Sequence, residues 1–159
     1  MITRYRLSTQ IEDQSRAFLQ GLTELINPRW LRLFNTEELR VLVTGADTPI
    51  DVEDLRRNTV YGGYHEKDMA VQYFWEALSS LDQASLKAFL RFVTSSPNPP
   101  LLGFSELNPK FAIRHAGDDI TRLPTASTCV NLLKLPAYNS TAQCLEKVKY
   151  AIYLSLIHI

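Results

Sequence analysis

The sequence predicts an α+β fold in which a helical amino-terminal segment precedes a mixed α/β part, and three observations carry that prediction. Apolar residues Ile11, Phe18, Leu22, Leu25 and Ile26 recur near helical spacing within the first 60 positions. Beyond Tyr64 two further amphipathic stretches follow, one through Val71, Phe74, Trp75 and Leu78 and one through Leu86, Phe89, Leu90 and Val93. Between those stretches and a last helix lie two short runs of strand character, 111–114 and 130–135.

Taken in order, the first predicted helix spans 10–25 and ends at Asn27-Pro28, because the residue before a proline is pushed out of the helical region. A short piece, 29–34, leads to Asn35, a good cap for a helix over 36–43 with Glu37 and Glu38 in its first turn. Gly45 stops it, and Asp51 can cap one more helix over 52–57. Short helices with strongly apolar faces need a partner to cover them, and this block holds no closed core of its own. Tyr61-Gly62-Gly63-Tyr64 is the candidate linker, since two adjacent glycines restrict the backbone least; a plain tight turn is the alternative.

The next helix is expected over 68–81, and Asp82 or Ser85 can open the one after it. Residues 95–100, SSPNPP, form a Pro/Ser-rich loop, and Phe111 to Arg114 alternate as a strand before the turn Gly117-Asp118-Asp119. The last helix starts at Thr141, capped by Ser140 or Thr141, with Leu145, Val148 and Ile152 inward.

The stretch 123–136, LPTASTCVNLLKLP, carries the chemistry. The run from Val130 to Leu135, closed by Pro136, reads as a buried strand, which sets Cys129 at the strand's mouth after a polar loop. A lone cysteine beside apolar residues is commonly a small buried hydrophobe. Against that, Thr125, Ser127 and Thr128 put three hydroxyls within four residues of the sulfur, where they and loop amides could orient a thiol and receive an oxyanion. A phosphatase loop would need arginine six positions after the cysteine, and that position is Leu135. A papain-like site would need a histidine base, for which His65 and His115 are the available residues. Cys144, flanked by Leu145 and without a polar loop, reads as structural or surface.

Composition bounds the rest. The formal charge is zero, 45% of residues are apolar, and no basic block interleaves with aromatics, so nucleic acid is not an expected partner. No run has the length of a membrane span, and the opening MITRYRLSTQ holds no apolar signal core. Two cysteines fifteen positions apart and three histidines argue against a disulfide scaffold or a zinc site; neither metal nor cofactor is expected. A reducing cytoplasmic or nuclear compartment would keep Cys129 a free thiol.

LPTASTC, then Asn131 and the Leu-Lys-Leu-Pro of 133–136, resembles the active-site signature of HECT-type ubiquitin ligases. Phe74-Trp75-Glu76, Phe92-Val93-Thr94, Gly103-Phe104, Gly62-Gly63, Leu33-Phe34 and Glu37-Glu38-Leu39 extend the likeness over nearly the whole chain. Pro99 to Phe104 and the Ser-Thr-Cys variant resemble the branch associated with proteasomal processing. The resemblance implies that residues 1–60 end the larger amino-terminal lobe, that 61–64 is the hinge between lobes with Gly62 and Gly63 at its centre, and that 65–159 is the carboxyl-terminal lobe, a small mixed sheet packed with helices. It implies Cys129 as the nucleophile that takes ubiquitin from a conjugating enzyme and passes it to a substrate lysine, in proteins that include proteasome-bound ones. It further implies that Leu123, Pro124, Thr125, Ser127, Thr128 and Asn131 belong to the active-site loop, with Leu123-Pro124 as its wall. Thioester exchange needs no full triad, because the incoming acyl group is already activated.

The family commonly has histidine at the position of Ser127 and phenylalanine at that of Val130. It usually closes on a glycine-phenylalanine tail, whereas this chain ends Tyr153-Leu-Ser-Leu-Ile-His-Ile159. The expectations are a piece of a longer ligase with an altered carboxyl end, and two functional classes: a ubiquitin transferase, or a piece that touches ubiquitin without turnover because the recruiting region and tail are missing.

Overall fold

The structure, a computed structural model, describes residues 9–45 and 47–157. Most of the opening segment, 1–8, and the last two positions of the unusual end, 158–159, lie outside the described residues. Two compact units divide the chain, the first ending at Val43 and the second beginning at Thr44.

A 3-10 turn, Thr9–Ile11, leads into α1 (Glu12–Leu25), α2 (Pro28–Leu31) and α3 (Thr36–Thr44). Asn27 Oδ1 accepts the Arg29 N–H at 3.0 Å, with Pro28 at the first helical position where its missing donor costs nothing. Asn35 and Glu38 form a reciprocal capping box: Asn35 Oδ1 accepts the Glu38 N–H at 2.9 Å and Glu38 Oε2 accepts the Asn35 N–H at 2.8 Å. None of the described residues of these helices is buried, and Leu25 and Leu33 stand 87% and 75% exposed.

The second unit is built on a four-stranded sheet of order β1-β2-β4-β3, comprising β1 (Val60–Gly62), β2 (Ala112–His115), β3 (Thr125–Ser127) and β4 (Leu132–Leu135). β1, β2 and β4 run parallel, and β3 is antiparallel to β4. Before the sheet, Asp51 caps α4 (Val52–Arg57) by accepting the Glu53 and Asp54 N–H groups. A crossover from β1 to β2 carries α5 (Met69–Ser79) and α6 (Gln83–Thr94), the latter capped by Asp82, whose Oδ1 accepts the Ser85 N–H at 2.7 Å. α7 (Thr141–Ile157) packs against both, with the Gln143 N–H donating to Ser140 Oγ at 3.3 Å.

The core lies between these helices and the two central strands. Phe74, Phe89, Val93, Phe111, Ile113, Leu133 and Leu135 are all buried, and Phe89 meets Phe111 edge to face at 6.1 Å between ring centres. Asp54 ties α4 to the Pro99–Phe104 loop, since its Oδ2 accepts the Phe104 N–H at 2.8 Å. Gly103, at φ +94°, could carry no Cβ without setting it 3.0 Å from that carboxylate.

Several elements differ from the sequence reading. Helix α5 is shorter than 68–81 at both ends, and β2 is shifted one residue past 111–114. Gly62 is the last residue of β1, paired with Arg114, so the glycine pair lies inside the second compact unit rather than between the two units. Residues 44–60 belong to that unit as well, because Ile50 and Leu55 are buried in its core. Of the two glycines Gly63 is the one the backbone requires: its φ is +72°, and a Cβ there would sit 3.2 Å from that of His115.

Leu133→Ala, in the most buried strand, is expected to cost about 2–5 kcal/mol by urea unfolding, whereas Phe18→Ala on the exposed face of α1 should shift stability by under about 0.5 kcal/mol.

Candidate active site

Cys129 stands on a tight connection between two paired strands. β3 and β4 pair Thr125 with Lys134, Ala126 with Leu133 and Ser127 with Leu132, and the chain reverses between them through a 3-10 turn, Thr128–Val130. The polar residues read as a loop therefore include a strand: Thr and Ser backbones donate to a ladder as well as any others, and Ala126 turns inward to pack on the core. Val130 leaves the strand predicted for it. Asn131, at φ +50° and ψ +42°, breaks the extended run, so β4 begins at Leu132 and Val130 is 48% exposed.

The thiol is exposed. Ser127 and Thr128 beside it are half-buried, Thr125 is exposed, Pro124 is buried and Leu123 is half-buried. Among the described residues no side chain hydrogen-bonds to the sulfur, so the three hydroxyls flank Cys129 without holding it. α6 packs against the turn from the core side. A cavity of about 360 Å³ opens there, with Arg91, Phe92, Ser95 and Thr128 in its lining.

Asn131 is the residue whose structural part the sequence reading missed. Its carboxamide Nδ2 donates to the Pro109 carbonyl at 2.6 Å, its own carbonyl accepts the Ala112 N–H at 2.9 Å, and its N–H donates to the Thr128 carbonyl at 3.3 Å. A tolerant αL residue directly before an apolar run was the available signal. Tyr138 went unread too; its hydroxyl donates to the Arg122 carbonyl at 2.7 Å and anchors the approach to β3.

The parallel register separates His65 and His115 from Cys129. β2 and β4 pair Ala112 with Leu132 at one edge and His115 with Leu135 at the other. Cys129 lies at the first edge; His115 lies about 10 Å along the strands at the second. His65 follows β1 past that same far edge. His115 faces Asp118 at 3.3 Å and the edge of Tyr64 at 4.8 Å instead. Neither can act as the base of a papain-like site, and Leu135, where a phosphatase arginine would stand, is buried in β4. Among the described residues no group of three or more His, Cys, Asp or Glu side chains is placed to hold a metal ion, and no helix is long and apolar enough to cross a membrane.

Cys144 provides the contrast within the chain. It is fully buried on α7 beside Val148, and burial pushes its thiol up to about 12 from an ordinary 9.0.

The chain matches the HECT-domain (ubiquitin-transferase) family over residues 1–155. It is 48% identical over 151 residues to the E3 ubiquitin-protein ligase HUL5 of Saccharomyces cerevisiae, covering 95% of this chain and 17% of that protein. It is 46% identical over 153 residues to a probable E3 ubiquitin protein ligase of Schizosaccharomyces pombe, covering 96% and 15%. To the human ubiquitin-protein ligase E3B it is 39% identical over 181 aligned positions, covering 98% and 17%. The chain thus spans about one sixth of the length of these curated relatives.

Two outcomes follow for the thiols. Under native conditions at pH 8 iodoacetamide should alkylate Cys129 and leave Cys144 unmodified until denaturant is added, as peptide mapping would report. Because the folded state raises the Cys144 pKa, its contribution to stability is intact below pH 9 and is lost as pH rises from there through about 12. Unfolding free energy should fall across that window, and less steeply in Cys144→Ala than in the wild type.

Proposed function

Because the chain belongs to the HECT-domain family of ubiquitin transferases, we propose that Cys129 is its acyl-accepting nucleophile, taking ubiquitin as a thioester and passing it to a substrate lysine. The observation that carries this reading is the exposure of Cys129 on a turn fixed between paired strands, against the complete burial of Cys144. A macromolecular acyl donor can reach the first sulfur and not the second.

In the first step the Cys129 thiolate attacks the thioester carbonyl that joins ubiquitin's carboxyl terminus to a cysteine of a conjugating enzyme. The tetrahedral oxyanion collapses, the enzyme's thiolate leaves, and the acyl group rests on Cys129. In the second step a neutral lysine amine attacks that thioester, the Cys129 thiolate departs, and an isopeptide bond forms as the amine loses its proton. Both exchanges start from an activated acyl group, so neither demands a histidine within reach of the sulfur. The separation of His65 and His115 from Cys129 fits this chemistry better than hydrolysis. The hydroxyls of Ser127 and Thr128 flank the point where the oxyanion forms, and Leu123, Pro124 and Thr125 lead the chain to it.

The conjugating enzyme binds through a portion of the ligase preceding these residues, consistent with the chain's spanning about one sixth of its relatives. Substrates include proteasome-bound proteins, in the reducing compartments of cytoplasm and nucleus.

Incubation with a chemically activated ubiquitin thioester, read by intact mass, tests the assignment. One adduct is expected that is lost in Cys129→Ala, kept in Cys144→Ala and released by reductant. No adduct at Cys129, or equal labelling of both cysteines, would overturn it in favour of a ubiquitin-binding piece without turnover.

A further inference from the structure

We infer that Asn131 is a positioning residue for acyl transfer: its buried carboxamide latches the Cys129 turn to the start of β2 and so fixes the direction in which the thiol is presented. The inference rests on the assignment of Cys129 as nucleophile. Asn131 is the single buried polar or charged residue among the described ones, at 7% exposure, and a buried amide is retained only where its hydrogen bonds are made. Here they converge on one place. Nδ2 reaches the Pro109 carbonyl at 2.6 Å, while the backbone carbonyl of Asn131 takes the N–H of Ala112, three residues further on. The same residue closes the 3-10 turn through the Thr128 carbonyl. It therefore holds both the turn that bears the sulfur and the segment leading into the central strand.

The backbone conformation explains why this residue type serves. At φ +50° a β-branched or bulky side chain would be strained, glycine would be free to adopt the angle but could donate nothing, and aspartate could adopt it but would set a carboxylate against the Pro109 carbonyl. Asparagine alone combines left-handed tolerance with a side-chain N–H at that reach. With the latch gone, the 3-10 turn keeps only its short backbone contacts, and an exposed sulfur on a loosened turn still meets small reagents but meets a bulky acyl donor in the wrong orientation.

The test compares Asn131→Gly and Asn131→Asp with wild type in the 159-residue chain. It measures the single-turnover rate of thioester formation with activated ubiquitin thioester, the iodoacetamide alkylation rate of Cys129, and the melting temperature. A positioning role predicts thioester formation slowed about 10-fold to 100-fold in both variants, with alkylation within about twofold of wild type. A purely structural role would instead lower thioester formation only in proportion to the folded fraction that the melting curve gives, with Cys144 becoming open to iodoacetamide in the same proportion, and that result would overturn the inference. So would thioester formation within about twofold of wild type in a folded variant. If one variant fails to fold, the other decides. Absence of a Cys129 adduct in the wild type would overturn the nucleophile assignment and this inference with it, whereas a normal wild-type adduct with unaffected variants would overturn this inference alone.

Discussion

The parallel pairing of β2 with β4 is the constraint on which the rest of the second unit depends. Ile113 opposite Leu133 forms the driest point of the sheet, and burying two such side chains contributes about 1.5–3 kcal/mol each before cavity terms are counted. Once that pair is in register, Ala112 must lie beside Leu132 and His115 beside Leu135, because a one-residue slip would turn every inward side chain to the other face. The positions of Cys129 and of His115 then follow. Cys129 emerges at the edge where β4 begins, and His115 at the edge where it ends.

The helices serve that sheet. α6 lies against β3, β4 and the Cys129 turn, so the element that covers the core also backs the turn that bears the thiol. α7 closes the layer, with Cys144, Val148 and Ile152 inward, and Tyr64 and Tyr138 reach from either side to backbone carbonyls at Leu135 and Arg122. Rigidity of the turn is thus distributed: strand pairing on both sides, a helix beneath, and one buried carboxamide. An exposed thiol on such a support can be approached by a protein without the turn having to reorganise.

Much of this was legible in the sequence wherever local chemistry decides structure. Asp51, Asn35 and Asp82 cap the helices that their side chains announced, and the apolar periods of α5 and α6 bury the residues that they marked. The parts that escaped are those fixed by distant partners. β1 and β3 are three residues long and carry mostly exposed or half-buried side chains, so neither shows alternation; each exists because β2 or β4 offers it a ladder. The compact unit's start at Thr44 depends on Ile50 and Leu55 entering a core whose other buried members begin at Val71, which no local pattern states. The motif singles out Cys129 in the sequence, but its exposure goes with Asn131, whose left-handed turn stops the strand that Val130 would otherwise have joined. The first unit reads differently again: its caps were plain, while its apolar residues Phe18, Leu25, Trp30 and Leu33 stay exposed.

The proposed acyl transfer asks for a thiol that a folded protein can reach, backed by paired strands and a helix, and it asks for nothing beside the sulfur to break a stable bond. The most direct test is covalent capture with ubiquitin bearing a thiol-reactive electrophile in place of its terminal carboxylate, followed by peptide mapping of the conjugate. Capture confined to the peptide that contains Cys129 is the expected result. Capture elsewhere, or a Cys129 that reacts with iodoacetamide but never with the ubiquitin probe, would contradict the account.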